Sequence, residues 1–252
     1  MEESKGVSWL VTDFLELGGR GRGGGSAEAK EERMTLAQKM ARLHTTPAPV
    51  PEGFDRPMFG FPVTTCCGDT PQDNAWAESW AYFFAERRLR FILKRSEKSN
   101  GADKELQDLV EKTANRVVPR LLGDGHLGGK DGIKPVVVHG DLWSGNASRG
   151  TIMDGAKEEA KDVQDVVYDP SACYAHGEYD LGIMKMFGGF GSSFFKEYHE
   201  LCPKTEPVAE YEDRISLYEL YHHLNHHALF GGGYRGGAVS IMNKLISKYG
   251  DD

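Results

Sequence analysis

The chain has 252 residues, of which 27% are charged and 39% fall in the hydrophobic set, with a formal net charge of -8. This is ample for one large packed domain or two small ones, and the composition is that of a globular protein. The acidic balance leaves no electrostatic footprint for nucleic acid or an anionic membrane, so any phosphate handled here needs local donors or metal ions.

No apolar run approaches the roughly 18 residues of a membrane span, and the acidic start Met1-Glu2-Glu3-Ser4-Lys5 is unlike a signal peptide. Cys66, Cys67, Cys173 and Cys202 show no CxxC spacing. Adjacent cysteines are poorly placed for an ordinary disulfide, so the four read as reduced thiols of a cytoplasmic protein.

In chain order, Ser8 to Glu16 reads as a strand. Gly18 to Gly25 follows, and there Gly19, Gly21 and Gly24 formally satisfy G-x-G-x-x-G. A run this rich in glycine satisfies many such patterns, and the plainer reading is a flexible surface segment. Ser26 is placed to cap a helix to about His44, with Leu36, Met40 and Leu43 on one face. The proline-rich stretch from Pro47 to Pro62 breaks into loop, and Phe61 to Cys67 is a short strand candidate.

Asn74 is placed to cap an aromatic helix through Arg95, carrying Trp76, Trp80, Phe83, Phe84 and Phe91. A further helix is expected from about Ala102 to Leu122, with Leu106, Leu109, Val110, Val117 and Leu121 at helical spacing. Glycine-rich loop then leads to two short apolar runs, Val136 to Val138 and Val166 to Tyr168. Between them the charged segment from Ser148 to Asp162 is expected as a solvated hairpin excursion. Helices are expected over Tyr179–Phe187, Ser192–Leu201, Tyr211–Phe230 and Gly237–Tyr249.

The chemistry concentrates in Val136-Val137-Val138-His139-Gly140-Asp141-Leu142-Trp143-Ser144-Gly145-Asn146, followed by Tyr168-Asp169-Pro170-Ser171. Phosphoryl transfer asks a protein for alignment, metal ions and a carboxylate that accepts the hydroxyl proton. Asp141, on a loop at the mouth of a strand, suits the base. Asn146 and Asp169 are hard oxygen donors suited to Mg²⁺. Asp and Asn singly are ordinary turn formers; the set together points to a phosphotransferase loop. Trp143 is larger than a turn requires, and both stacking on a substrate face and packing beneath the loop account for it. The cluster His222-His223-Leu224-Asn225-His226-His227 contains two i,i+4 pairs that could hold a metal. It lacks the H-E-x-x-H glutamate, and Tyr218, Tyr221 and Leu224 favour a packing role.

The octapeptide from His139 to Asn146 resembles the fructosamine/ketosamine-3-kinase family, relatives of the aminoglycoside and choline kinases. So do Tyr168 to Ser171 with Tyr174, His176 and Glu178, the run Met186 to Phe190, and Leu224-Asn225-His226. Thr64 to Gly68 with Pro71-Gln72 extends the match over nearly the whole chain.

The resemblance implies an α+β, protein kinase-like (aminoglycoside phosphotransferase-like) fold. It implies ATP and Mg²⁺ as cofactors, and glycated proteins or small ketosamines phosphorylated on the 3-hydroxyl as partners. By the same resemblance Asp141 is the base, and Asn146 and Asp169 are the metal ligands. Trp143 and His139 belong to the substrate site, and Asp13, Phe14 and Leu15 form the hinge whose backbone meets adenine. A dozen residues precede Asp13, among them a single lysine, Lys5. The expected division is therefore residues 1–25 as hinge strand and glycine-rich segment and 26–252 as the helical C-lobe, with most of the N-lobe absent and weak turnover by this chain alone. A catalytically deficient module that binds sugar adducts and a small-molecule kinase of the aminoglycoside or choline type are the alternatives.

Overall fold

The computed structural model describes residues 14–18, 34–153 and 163–250. Asp13 and most of the glycine-rich run lie outside the described residues, as does Ser26. The first described strand, β1 (Phe14–Leu17), pairs antiparallel with β5 (Ala147–Met153), with Leu17 opposite Gly150.

Helix α1 (Leu36–Thr45) starts later than the expected Ser26. Thr35 is extended at ψ 165°, and its hydroxyl accepts the Gln38 N–H while Gln38 Oε1 accepts the Thr35 N–H. This reciprocal capping box satisfies two N-terminal donors and sets the boundary.

The Phe61–Cys67 strand contracts to a tight hairpin, β2 (Cys66–Cys67) against β3 (Thr70–Pro71). The aromatic helix is capped by Ser79, not Asn74. Asn74 is instead consumed by tertiary partners: its amide donates to the Val63 carbonyl and Thr65 Oγ1, and its oxygen accepts from Arg88 Nη2. Helix α2 (Trp80–Phe83), a π-helical stretch (Phe84–Arg90) and α3 (Phe91–Asn100) then run on without a break. Arg88, fully buried in the π stretch, also donates to the Asp73 carbonyl and lies 4.6 Å from the Phe83 ring centre. A buried guanidinium needs acceptors of this kind on its terminal nitrogens, although Arg88 Nε has none. Helix α4 (Lys104–Lys112), a second π stretch (Thr113–Val117) and α5 (Val118–Leu122) complete the next rod.

Strand β4 (Val136–Val138) pairs with β7 (Cys173–Ala175), and β6 (Gln164–Val167) pairs with β5. The expected solvated excursion is therefore corrected over 148–153. These residues are part of the central strand of the sheet β1-β5-β6, because β1 arrives from far away in sequence to cover the open edge. Residues 154–162 lie outside the described set.

Helices α6 (Tyr179–Phe187), α7 (Ser192–Leu201) and α8 (Tyr211–Phe230) match expectation, and α9 (Gly233–Tyr249) begins four residues early. Helix α8 is buried on nearly every side, as a central helix is, carrying Asp213, Arg214, His222 and Asn225 into the interior, and packs against α3, α6 and α9. At its waist Trp80, Tyr179, Tyr218 and Tyr221 form an aromatic core in which Trp80 Nε1–H donates to the Tyr218 hydroxyl at 2.9 Å.

Candidate active site

Two hairpins converge on one loop. Strand β4 ends at Val138, opposite Cys173 of β7, and the Ser171 N–H donates to the His139 carbonyl at 2.8 Å. The turn between them needs a glycine. Gly140 has φ +80°, and a Cβ there would collide with the Ser171 carbonyl. The backbone N–H groups of His139 and Gly140 both donate to the buried Asp180 carboxylate, at 2.8 and 2.7 Å. His44 Nε2 lies 3.0 Å from the same carboxylate and His44 Nδ1 2.8 Å from the Tyr198 hydroxyl. Burial alone would raise the Asp180 carboxyl, but the His44 hydrogen bond and charge, the charge of His139 and the His139 N–H hold it below the ordinary carboxylate range.

Sequence reasoning missed Asp180. The one available signal is an acidic residue in the first turn of a helix, which usually reads as a solvent-facing helix-dipole partner.

His139, expected on the substrate side, lies beneath the loop and is 4% exposed. Its Nε2 lies 3.0 Å from the Tyr168 carbonyl, which can only accept, so Nε2 carries the proton. The Asp141 N–H approaches Nδ1 at 3.3 Å.

Asn146 closes a short 3₁₀ turn, and the second hairpin, β5–β6, starts at the next residue. Ala147 faces Val167, and the Tyr168 N–H donates to the Asn146 carbonyl at 3.1 Å, so Asp169 emerges at the same end as Asn146. Asp169 is the one non-glycine residue with positive φ among the described residues, at 57°. A carboxylate held in this sparsely populated conformation is what a strained functional position looks like.

The Asn146 amide Nδ2 donates to the Asp141 carbonyl at 2.9 Å and approaches Asp141 Oδ2 at 3.3 Å. With its nitrogen engaged, and lying 3.5 Å from the Asp169 carbonyl, Asn146 keeps Oδ1 as a neutral hard donor; Asp169 itself is exposed. By donor chemistry, the Asn146 amide oxygen and a carboxylate from Asp169 are the all-oxygen type of ligand that suits Mg²⁺.

Asp141 is pushed up to about 7, by burial first and then by the Asp169 and Asp180 charges, with the Asn146 hydrogen bond opposing. A carboxyl of that affinity accepts a proton near neutrality far better than an ordinary aspartate. Directly behind it, the buried Cys67 thiol is pushed up to about 12 by burial and by the Asp141 charge.

Trp143 is 39% exposed, and its ring lies flat across Gly145, where a Cβ would run into it. Its other neighbour is Phe187, 5.7 Å away between ring centres, which meets His226 at 5.2 Å. His226 in turn contacts Phe230 and Tyr234. Trp143 thus both packs and presents a free edge, the first member of an aromatic wall whose other members sequence reasoning left out or assigned to packing. Phe14 and Leu15 stand on β1, whose partner β5 begins right after Asn146, with Phe14 largely exposed.

A family model described as "Fructosamine kinase" matches residues 1–248. The mouse ketosamine-3-kinase is 40% identical over 187 residues, covering 74% of this chain and 53% of the mouse protein. The chloroplastic protein-ribulosamine 3-kinase of Arabidopsis thaliana is 35% identical over 241 residues, covering 96% of this chain and 63% of that protein. The crystal structure of a fructosamine-3-kinase candidate from Thermobifida fusca superposes with a TM-score of 0.64 at 28% identity, over 84% of this chain and 63% of that one. The chain therefore spans between half and two thirds of the length of these three relatives. With a match over almost its entire length, it belongs to the fructosamine kinase family.

Proposed function

We propose that the chain carries the catalytic loop of an ATP-dependent ketosamine 3-phosphotransferase. Its substrates are ribulosamine- or fructosamine-type adducts, protein-bound ones included, which phosphorylation destabilises so that the protein is deglycated. The observation that carries this reading is the convergence of Asp141, Asn146 and Asp169 on one loop end, with Asp141 tuned to about 7.

Asp141 accepts the proton of the sugar hydroxyl as that oxygen attacks the phosphoryl group. Asn146 and Asp169 would hold Mg²⁺, which would supply neutralising charge to the phosphate oxygens. Asp180 keeps Asp141 in place by gripping the two preceding N–H groups. His139 supports the loop from below, and Trp143 with Phe187 receives the adduct. The β1 backbone at Phe14 and Leu15 meets the adenine, by the same reading. The compartment is a reducing one, in line with the free cysteines, and the cytoplasm is the first expectation.

The test is ATP consumption with a ribulosyl-lysine peptide and Mg²⁺, run beside Asp141→Asn. Turnover, however slow, that Asp141→Asn abolishes supports the enzyme. Peptide binding without any turnover sinks it in favour of a sugar-adduct-binding module, and preference for choline- or aminoglycoside-type alcohols would sink the ketosamine assignment.

A further inference from the structure

Behind the catalytic carboxylate lies a group of donors that phosphoryl transfer does not use. The β2–β3 hairpin presses Cys67 against α8, where the Asn225 amide approaches both its carbonyl and its Sγ at 3.3 Å. One turn earlier on α8, His222 is fully buried, and neither of its ring nitrogens has a hydrogen-bond partner. Leaving a buried polar group unsatisfied is costly, so a histidine with two bare nitrogens in the core calls for a ligand. One ligand atom each from Cys67, Asp141 and His222 lie within 4.8 Å of one another.

We propose that Cys67, Asp141 and His222 form a binding site for a borderline-soft transition-metal dication of the Zn²⁺ type, distinct from the oxygen-only Mg²⁺ position at Asn146 and Asp169. The donor set is one sulfur, one nitrogen and one oxygen. Mg²⁺ prefers oxygen donors and disfavours this set, whereas Zn²⁺ takes all three in tetrahedral geometry, with the fourth position left to water. Tetrahedral bonds of roughly 2.0–2.3 Å place ligand atoms about 3.3–3.8 Å apart. Closing from within 4.8 Å therefore requires movements of about an ångström, supplied by rotating the half-buried Asp141 and the short Cys67 side chain.

On loading, the Cys67 S–H bond breaks and its proton passes to solvent. Sulfur, the imidazole nitrogen and a carboxylate oxygen each donate a lone pair to the ion, and nothing is oxidised or reduced. Occupancy ties up the Asp141 oxygen that would accept the substrate proton, so the ion is an inhibitor. That last consequence alone rests on the phosphotransfer reading.

Co²⁺, a coloured substitute for Zn²⁺, tests the site without any turnover. The purified chain, freed of metal, is titrated with Co²⁺ and followed by absorption. One equivalent should produce a thiolate-to-cobalt charge-transfer band together with intense tetrahedral d–d bands, and one equivalent of Zn²⁺ should bleach both. Cys67→Ser should remove the charge-transfer band, and His222→Asn should weaken Co²⁺ binding at least tenfold. Both positions are in the core, so Asp141→Asn at the half-open mouth is the variant that keeps the fold, and it too should weaken binding at least tenfold. Cys66→Ser, on the exposed neighbour, should leave the spectrum unchanged. Absence of a charge-transfer band in the wild-type chain, its survival in a folded Cys67→Ser variant, or wild-type affinity in Asp141→Asn would each overturn the proposal.

Discussion

The loop from His139 to Asn146 is held between two aspartates that face opposite ways in chemistry. Asp180 is completely buried yet kept ionised, whereas Asp141 is only partly withdrawn from water and is pushed up to about 7. Burial works in the same direction on both, since a carboxylate always loses solvation on leaving water. The donors decide between them. Asp180 receives the His139 and Gly140 N–H groups and stands 3.0 Å from His44 Nε2. Asp141 has a single amide at 3.3 Å and another carboxylate, Asp169, for a neighbour. Glu178 repeats the Asp180 solution two residues earlier, where Arg214 Nε and the Thr205 N–H both donate to it at 2.8 Å. One loop therefore has a rigid charged anchor behind it and a carboxyl of raised proton affinity in front, made from the same residue type.

The largest expected effect removes the front of this contrast. Asp141→Asn should lower phosphoryl transfer to a ribulosyl-lysine peptide by about 10²–10⁴-fold, the usual worth of a positioned base, while urea unfolding at pH 7 shows no loss of stability. An unfolding midpoint that falls along with the rate would mean the residue is structural.

At the back, Arg214→Ala strands Glu178 as a buried charge and should cost about 3–5 kcal/mol in urea unfolding. A loss under 1 kcal/mol would show that Glu178 finds water or protonates easily. Gly140→Ala disturbs the link between front and back. Its φ of +80° and the Ser171 carbonyl in the path of a Cβ predict a loss of about 1–3 kcal/mol, together with a drop in rate. A variant of normal stability and rate would refute the close approach.

The smallest effect is the pH dependence. Because the folded Asp141 carboxyl lies above its unfolded value of about 4, its contribution to stability is present below pH 4 and is lost as the pH rises through about 7. Asp141→Asn should therefore gain roughly 1–2 kcal/mol at pH 8, a figure reduced for the group's contact with solvent, and nothing at pH 4. Asp180 and Glu178 have lowered values, so their contributions hold above about pH 4 and fade as the pH falls toward the folded values. Unfolding curves at pH 4 and pH 8 for wild type and Asp141→Asn check the sign directly.

Local chemistry made part of this legible in advance. Helices α6, α7 and α8 begin and end where periodicity and flanking glycine or proline place them, because capping and breaking signals act within a few residues. Asp141 and Asn146 share a loop because five residues separate them. The aromatic helix cap and the charged segment after Ser148 were misjudged for the opposite reason. Asn74 was claimed by Arg88, fourteen positions away, and residues 148–153 were claimed by a strand from the start of the chain.

What the sequence alone determined is the inventory: a strand, a glycine turn, a carboxylate, an amide and a later aspartate, each set by short-range propensity. What only the tertiary structure decided is which of these meet, and in what state of charge. Asp169 reaches Asn146 because β5 and β6 pair, Asp180 reaches the loop because α6 packs behind it, and Cys67 and His222 meet behind Asp141 because a hairpin seats on α8. Proton affinity depends on everything within a few ångströms, and a linear order of residues does not contain those distances.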